Sequence, residues 1–284
     1  MKKNKRLHPD YLVIGHVTHD IYEDGITLGG TAAYAAVCAR ALGRIPAILT
    51  AGAEAQPIQV INGIALEWKR SEKTTTFENK ETSQGRKQIL HSIADKILPN
   101  DVPDSWKTIK IVHLGPVADE VDPRVVDLFP YSFLGITPQG WMRMRDKENI
   151  VQYKALENAE KTLNRADAVV ISIEDVQGDE ETILTFAGQT KILAVTEGFN
   201  GARIYWNGDV RHFSAPKIDV VDPTGAGDIF AAVFFDSLEK TLDPWESGRK
   251  AVQIASQSIT KEGLAGVPNE QEIRSFQIEV IEGK

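Results

Sequence analysis

Six short apolar runs recur along the chain with helix-length segments between them. They are Tyr11–Gly15 (YLVIG), Ala47–Ala51 (AILTA), Ile111–Gly115 (IVHLG), Ser132–Ile136 (SFLGI), Ala168–Ile173 (AVVISI) and Ile192–Thr196 (ILAVT). A strand with one wet face alternates apolar and polar residues, whereas these runs are apolar almost throughout, as strands covered on both faces are. Such strands separated by helices build an α/β fold, a mostly parallel sheet between two helical layers. Helices are expected over Thr31–Leu42, closed by Gly43, and over Lys154–Arg165, Ile229–Glu239 and Trp245–Lys261. No internal repeat, low-complexity tract or Pro/Gly/Ser-rich linker divides the 284 residues, so 1–284 reads as a single domain.

Two stretches break the rhythm: about 21–27, and 61–93 with its sequence KTTTFENKETSQGRKQIL. Thr74 to Phe77 favour strands, and the surrounding charges suit a sheet with one solvated face. A small sheet inserted in an α/β core is either a lid over a site or a decorative hairpin, and composition leaves both open. The net charge of −8 speaks against nucleic acid or an anionic membrane as partner, and no apolar run is long enough to span a bilayer. Cys38 is the only cysteine, which excludes an intrachain disulfide. With Lys2–Arg6 lacking the apolar core of a signal peptide, a cytoplasmic location is expected. No two of the six histidines have the H-E-x-x-H spacing of a metal site.

The stretch with most chemistry in it is VDPTGAGDIFAAVFF, Val221–Phe235. A Gly-Ala-Gly turn that enters a helix leaves the first-turn N–H groups unpaired and uncovered, a place for a phosphate. Asp228 closes the turn. Taken alone it is a helix-capping carboxylate; beside an anion site it can also take a proton from a hydroxyl while the amides stabilise a transferring phosphoryl group. The Walker-A pattern is absent, and Phe230 stands where a third glycine of G-x-G-x-x-G would be. The helix that follows is apolar nearly all round and must be buried.

DPTGAGD resembles the C-terminal signature of the PfkB, or ribokinase-like, carbohydrate kinases. Three further stretches agree with that family in order: IGHVTHDI (Ile14–Ile21), LGGTAAYAAVCARALG (Leu28–Gly43) and VTEGFNGARIY (Val195–Tyr205). The resemblance runs from about Tyr11 to Pro268. It implies a ribokinase-like three-layer α/β fold with a small β lid, and transfer of the γ-phosphate of ATP to a hydroxyl of a small sugar or polyol. Residue by residue, it implies Asp228 as catalytic base and Gly225, Ala226 and Gly227 as the anion hole. Asp20, Gly29 and Gly30 would bind substrate, and Thr196, Gly198 and Gly201 would line the ATP site. Asp222 and Thr224 would lie near a monovalent cation such as K⁺. The family's N-x-x-E motif is replaced by SIED, so that Asp175 or Glu174 would organise Mg²⁺, through water, without the amide that Ser172 has displaced. Pro223 in the signature should stiffen the turn. DPTGAGD, SIED and ILPNDVPDSW point within the family to the inositol kinase-like branch. Gln139, in ITPQGWMRM with Trp141 and Arg143, falls near the expected site edge and is a candidate for substrate contact. A homodimer through the lid is expected on the same resemblance. A nucleoside kinase of this family and a non-catalytic nucleotide or sugar sensor are the alternatives.

Overall fold

The computed structural model describes residues 8–22, 25–53, 61, 63–82 and 85–275. Its core is a nine-stranded sheet. In chain order the sheet strands are β1 (Tyr11–Ile14), β4 (Pro46–Gly52), β5 (Ala65–Arg70), β8 (Ile111–Leu114), β9 (Phe133–Ile136), β12 (Ala168–Ser172), β13 (Ile192–Thr196), β14 (Ala202–Trp206) and β15 (Asp209–Phe213). Their spatial order is β15-β14-β13-β12-β9-β8-β1-β4-β5. The seven strands from β13 to β5 run parallel, and β14 and β15 add an antiparallel edge. All six apolar runs read from the sequence lie in this sheet.

The two faces bury different residues of the same strands, as the two-residue period of a strand requires. Tyr11, Val13, Ile48, Ile111 and Val170 pack on α1 (Thr31–Ala41), α4 (Ala226–Thr241) and α5 (Pro244–Ser258). Leu12, Ile14, Leu49, Val112 and Val169 pack on the other side with Leu163 of α2 (Ala159–Leu163) and Ile183 and Phe186 of α3 (Glu180–Gln189). This gives the three layers. α4 begins at Ala226, three residues ahead of the apolar run, because the Gly-Ala-Gly turn itself enters the helix. The helix expected over 154–165 shrinks to Ala159–Leu163. Residues just ahead of it are taken by β11 (Val151–Tyr153), antiparallel to β10 (Arg143–Arg145), and the Lys154 amide donates to Met142 O.

A second sheet of four strands stands off the core in the order β3-β2-β6-β7. Its members are β2 (Thr18–Tyr22), β3 (Gly25–Gly29), β6 (Thr76–Thr82) and β7 (Gly85–Ser92). The stretch 61–93 therefore divides: Ala65–Arg70 pairs in parallel register with β4 as the edge of the main sheet, and only the part from Thr76 onward joins the small sheet. Residues 23–24, 62 and 83–84 of the expected lid, and Lys2–Arg6, lie outside the described residues.

Strand order reverses between β1 and β8, and at such a point a crevice opens beyond the carboxyl ends of the strands. Here the crevice floor is tightly packed. A β-carbon at Gly115, just past β8, would sit 2.4 Å from Thr31 Cγ2, so glycine there lets the first turn of α1 sink onto the sheet.

Candidate active site

The amino ends of α1 and α4 meet over this crevice. Thr31, first residue of α1, donates its hydroxyl hydrogen to Asp228 Oδ1 at 2.6 Å across 197 residues of sequence. Asp228 lies in the first turn of α4, where a carboxylate faces the positive end of the helix dipole. Burial pushes its pKa up to about 6; the Thr31 hydrogen bond and the charge of Arg143 pull it down, and Asp175 and Asp20 raise it. Three carboxylates and one guanidinium thus share a field.

The Gly225–Gly227 turn has the geometry of an anion cradle. Gly225 has φ +80°, and a β-carbon on it would lie 2.3 Å from the ring of buried Tyr34. Glycine is needed there for both reasons. The Ala226 amide makes a long 3.3 Å bond to Pro223 O, while among the described residues the amides of Gly227 and Asp228 meet no carbonyl. Open first-turn donors are what an anion requires. Burial raises the pKa of the Tyr34 phenol, and the charges of Asp228, Asp222 and Asp20 raise it further. It is therefore a neutral hydroxyl in an acidic site.

Asp20 comes from the small sheet and reaches the same cleft. It is buried, and its Oδ1 accepts the Thr18 hydroxyl at 3.0 Å. A β-carbon on Gly29 would meet its Oδ2 at 2.0 Å, and one on Gly30 (φ +86°) would meet His16 O at 2.4 Å. The glycine pair thus makes room for the Asp20 carboxylate and closes the small sheet against α1. Gln139 Nε2 donates to Asp175 Oδ1 at 2.8 Å, and Asp175 Oδ2 accepts the Ser172 amide at 2.8 Å. Gln139 is held beside a carboxylate, so a substrate contact would have to share its amide. Burial raises the pKa of Asp175. Glu174, by contrast, is exposed. Of the two, Asp175 fits a role toward phosphate-bound Mg²⁺ through water.

Asp222 Oδ1 accepts the Thr224 amide at 2.9 Å and Oδ2 the Gly263 amide at 2.8 Å, which ties the signature loop to the turn beyond α5. Thr196 lies at the carboxyl end of β13, opposite Ser172 in register, and its hydroxyl donates to Ile171 O at 3.3 Å. Gly198 (φ +55°) and Gly201 (φ +97°) shape the next turn; a β-carbon on Gly201 would collide with Phe213 O. A groove of about 800 Å³, lined by Phe133, Leu184, Trp206 and Leu242 among others, lies at the amino ends of the strands and contains none of these groups. Sequence reasoning missed Thr31 and Tyr34. A Thr opening a helix after Gly-Gly is a local signal for the first; nothing local marks the second.

Residues 155–271 match the family model "pfkB family carbohydrate kinase". A fructokinase of Escherichia coli is 26% identical over 231 residues, 74% of each chain. A cytidine kinase of Thermococcus kodakarensis is 25% identical over 89% of this chain and 97% of its own. Among solved structures, a pyrophosphate-dependent kinase in the ribokinase family, complexed with a pyrophosphate analog and myo-inositol, superposes with TM-score 0.78 at 20% identity, covering 93% of this chain and 99% of its own. Arabidopsis thaliana ribokinase complexed with ribose and ATP gives 0.73 at 17%, over 95% and 98%. At such identities these structures establish the shared fold. The chain thus has the fold of the ribokinase-like kinases, and its residues 155–271 are similar to the PfkB carbohydrate kinases.

Proposed function

We propose that this chain is an ATP-dependent kinase that phosphorylates a hydroxyl of a small sugar or polyol. The observation that carries the reading is Asp228, oriented by Thr31 at the open amino end of α4, with Asp20 of the small sheet in the same electrostatic neighbourhood. Asp228 accepts the proton of the acceptor hydroxyl as that oxygen bonds to the γ-phosphorus. The bond from the γ-phosphorus to the β–γ bridging oxygen breaks, and ADP leaves with the electron pair. Amides of the Gly225–Gly227 turn stabilise charge on the transferring group, and Arg143 offsets the three carboxylates. Asp175 would hold Mg²⁺ through water, and the ion would supply charge neutralisation to the donor phosphates. Asp20 orients the acceptor, and the small sheet acts as a lid that excludes water. Thr196, Gly198 and Gly201 form the donor edge; Asp222 and Thr224 fit a monovalent-cation role only as loop-organising groups.

Relatives named for fructose and cytidine, and a fold neighbour that uses pyrophosphate, set the panel for the test. Wild type and Asp228→Asn are assayed with ATP or pyrophosphate against fructose, ribose, myo-inositol and cytidine. Phosphorylated product from a sugar or polyol with ATP is expected, falling about 10²–10⁴-fold in Asp228→Asn with donor binding retained. Preferred turnover of cytidine moves the reading to a nucleoside kinase; donor binding without product from any acceptor moves it to a sensor. We further propose a homodimer through the small sheet. Its support is that β3 pairs with β2 on one side only among the described residues and leaves Ile26 63% exposed.

A further inference from the structure

The main sheet and the small sheet are joined by four chain crossings, and His16 touches all of them. It lies on the first, between β1 and β2. Its carbonyl packs against Gly30 on the second, between β3 and α1, where a β-carbon would approach to 2.4 Å. On the third, between β5 and β6, Thr75 Oγ1 is 2.6 Å from His16 Nδ1. On the fourth, leaving β7, Asp95 O is 3.1 Å from Nε2. Thr75 Oγ1 already accepts the Ala94 amide at 2.9 Å, which leaves its own hydrogen for Nδ1 and fixes the proton of the ring on Nε2. The His16 amide donates to Oε1 of Glu120, a fully buried carboxylate that also receives the amides of Val117 and Ala118. His16 is itself fully buried, and burial lowers its pKa, so the ring is neutral as the bonding pattern requires.

We propose that His16 is the pin that fixes the small sheet over the cleft, a positioning residue that sets where Asp20 stands relative to Asp228. A side chain needed only to fill space there could be apolar; this one uses both ring nitrogens, each on a different crossing. A neutral imidazole anchored through Glu120 reaches both, which no shorter side chain does. The consequence for acceptor binding rests on the kinase reading; the pinning itself does not.

Hydrogen exchange and steady-state kinetics on the full chain test this with His16→Ala, His16→Asn and Thr75→Val. Asn Oδ1 stands in for Nδ1 and keeps the Thr75 bond. In His16→Ala and Thr75→Val, amides of Thr76–Thr82 and Gly85–Ser92 should exchange at least tenfold faster, with β8, β9 and β12 unchanged. His16→Asn should recover most of the protection. The acceptor KM should rise about tenfold in His16→Ala, with a smaller change in kcat. Wild-type exchange in the small sheet of both variants would overturn the proposal, as would equal loosening of both sheets with Asn no better than Ala. Should His16→Ala not fold, Thr75→Val and His16→Asn carry the same comparison. Selective loosening in a protein that transfers no phosphoryl group would sink the kinase reading and leave the pin standing.

Discussion

At the scale of single residues, the cleft is a problem of keeping a half-buried carboxylate usable. Asp228 has its pKa raised to about 6 by burial against the downward pull of the Thr31 hydroxyl and Arg143. On the proposed reading Asp228 is the base and must be ionised to accept a proton, so kcat/KM of the free enzyme should fall tenfold per pH unit below about 6 and level off above it. Removing a nearby cation favours the protonated carboxyl, so Arg143→Gln should move that acid limb to higher pH. A pH profile of kcat/KM for both proteins checks the sign; an unmoved limb would take Arg143 out of the field. Arg143 is well placed for such a role, with its guanidinium carbon 6.0 Å from the ring centre of Phe77 on β6 and Nη1 donating to Val117 O. The charge that serves Asp228 is thus in contact with the small sheet.

At the scale of elements, α4 has to be buried and yet carry charge. Phe234 and Phe235 are fully buried, and Phe235 stands edge-on to His113 at 4.9 Å. One turn from the helix end Asp236 is also fully buried, held by Arg44 Nε at 2.7 Å and Lys240 Nζ at 2.9 Å, while Arg44 Nη2 reaches Glu239 at 2.7 Å. Arg44 follows α1, so this cluster fastens the two helices whose opposite ends meet at Asp228. Arg44→Ala leaves a buried carboxylate with one exposed partner and should cost about 3 kcal/mol in unfolding free energy, read from urea midpoints. Arg44→Met should cost less than Ala, because the methionine restores packing volume though not charge. The same variants should lower activity less than they lower stability, since the cluster lies at the far ends of both helices.

For the whole molecule, two buried histidines shape the response to acid. His113 lies in the centre of the sheet, its Nδ1 3.4 Å from the Tyr11 hydroxyl and its Nε2 3.1 Å from Thr137 Oγ1, and burial lowers its pKa to about 3. An unfolded histidine titrates near 6.5. Between those two values the unfolded chain binds a proton that the native protein refuses, so stability is full above about 6.5 and declines as pH falls toward 3. The slope is up to about 1.4 kcal/mol per pH unit for one such group. His16, also lowered by burial, acts in the same direction. His113→Gln keeps a polar partner for Tyr11 or Thr137 and removes the titration. Urea midpoints between pH 6.5 and 4.5 should then fall less steeply than in wild type; identical slopes would assign the acid sensitivity elsewhere.

The amino-acid order alone determined the doubly covered parallel sheet, because strands buried on both faces leave continuous apolar runs and the helix-length segments between them supply the crossovers that parallel strands need. It also determined the DPTGAGD turn, whose glycines and terminal Asp carry their chemistry locally. Elements with little apolar signal were not legible. α3 buries only Ile183 and Phe186, and β5 is an edge strand whose ALEWKR is at most half-buried, so pairing with β4 rather than hydrophobicity assigns it to the main sheet. Family resemblance placed Asp20 and Asp228 in one site. Only the tertiary structure showed that the Thr31 hydroxyl holds Asp228, that Gly225 yields to Tyr34, and that the charges of Arg143 and Asp175 act on Asp228. The reason is physical: hydrogen bonds and fields act across a few ångströms of space, and here those ångströms join residues as far apart as 197 positions along the chain.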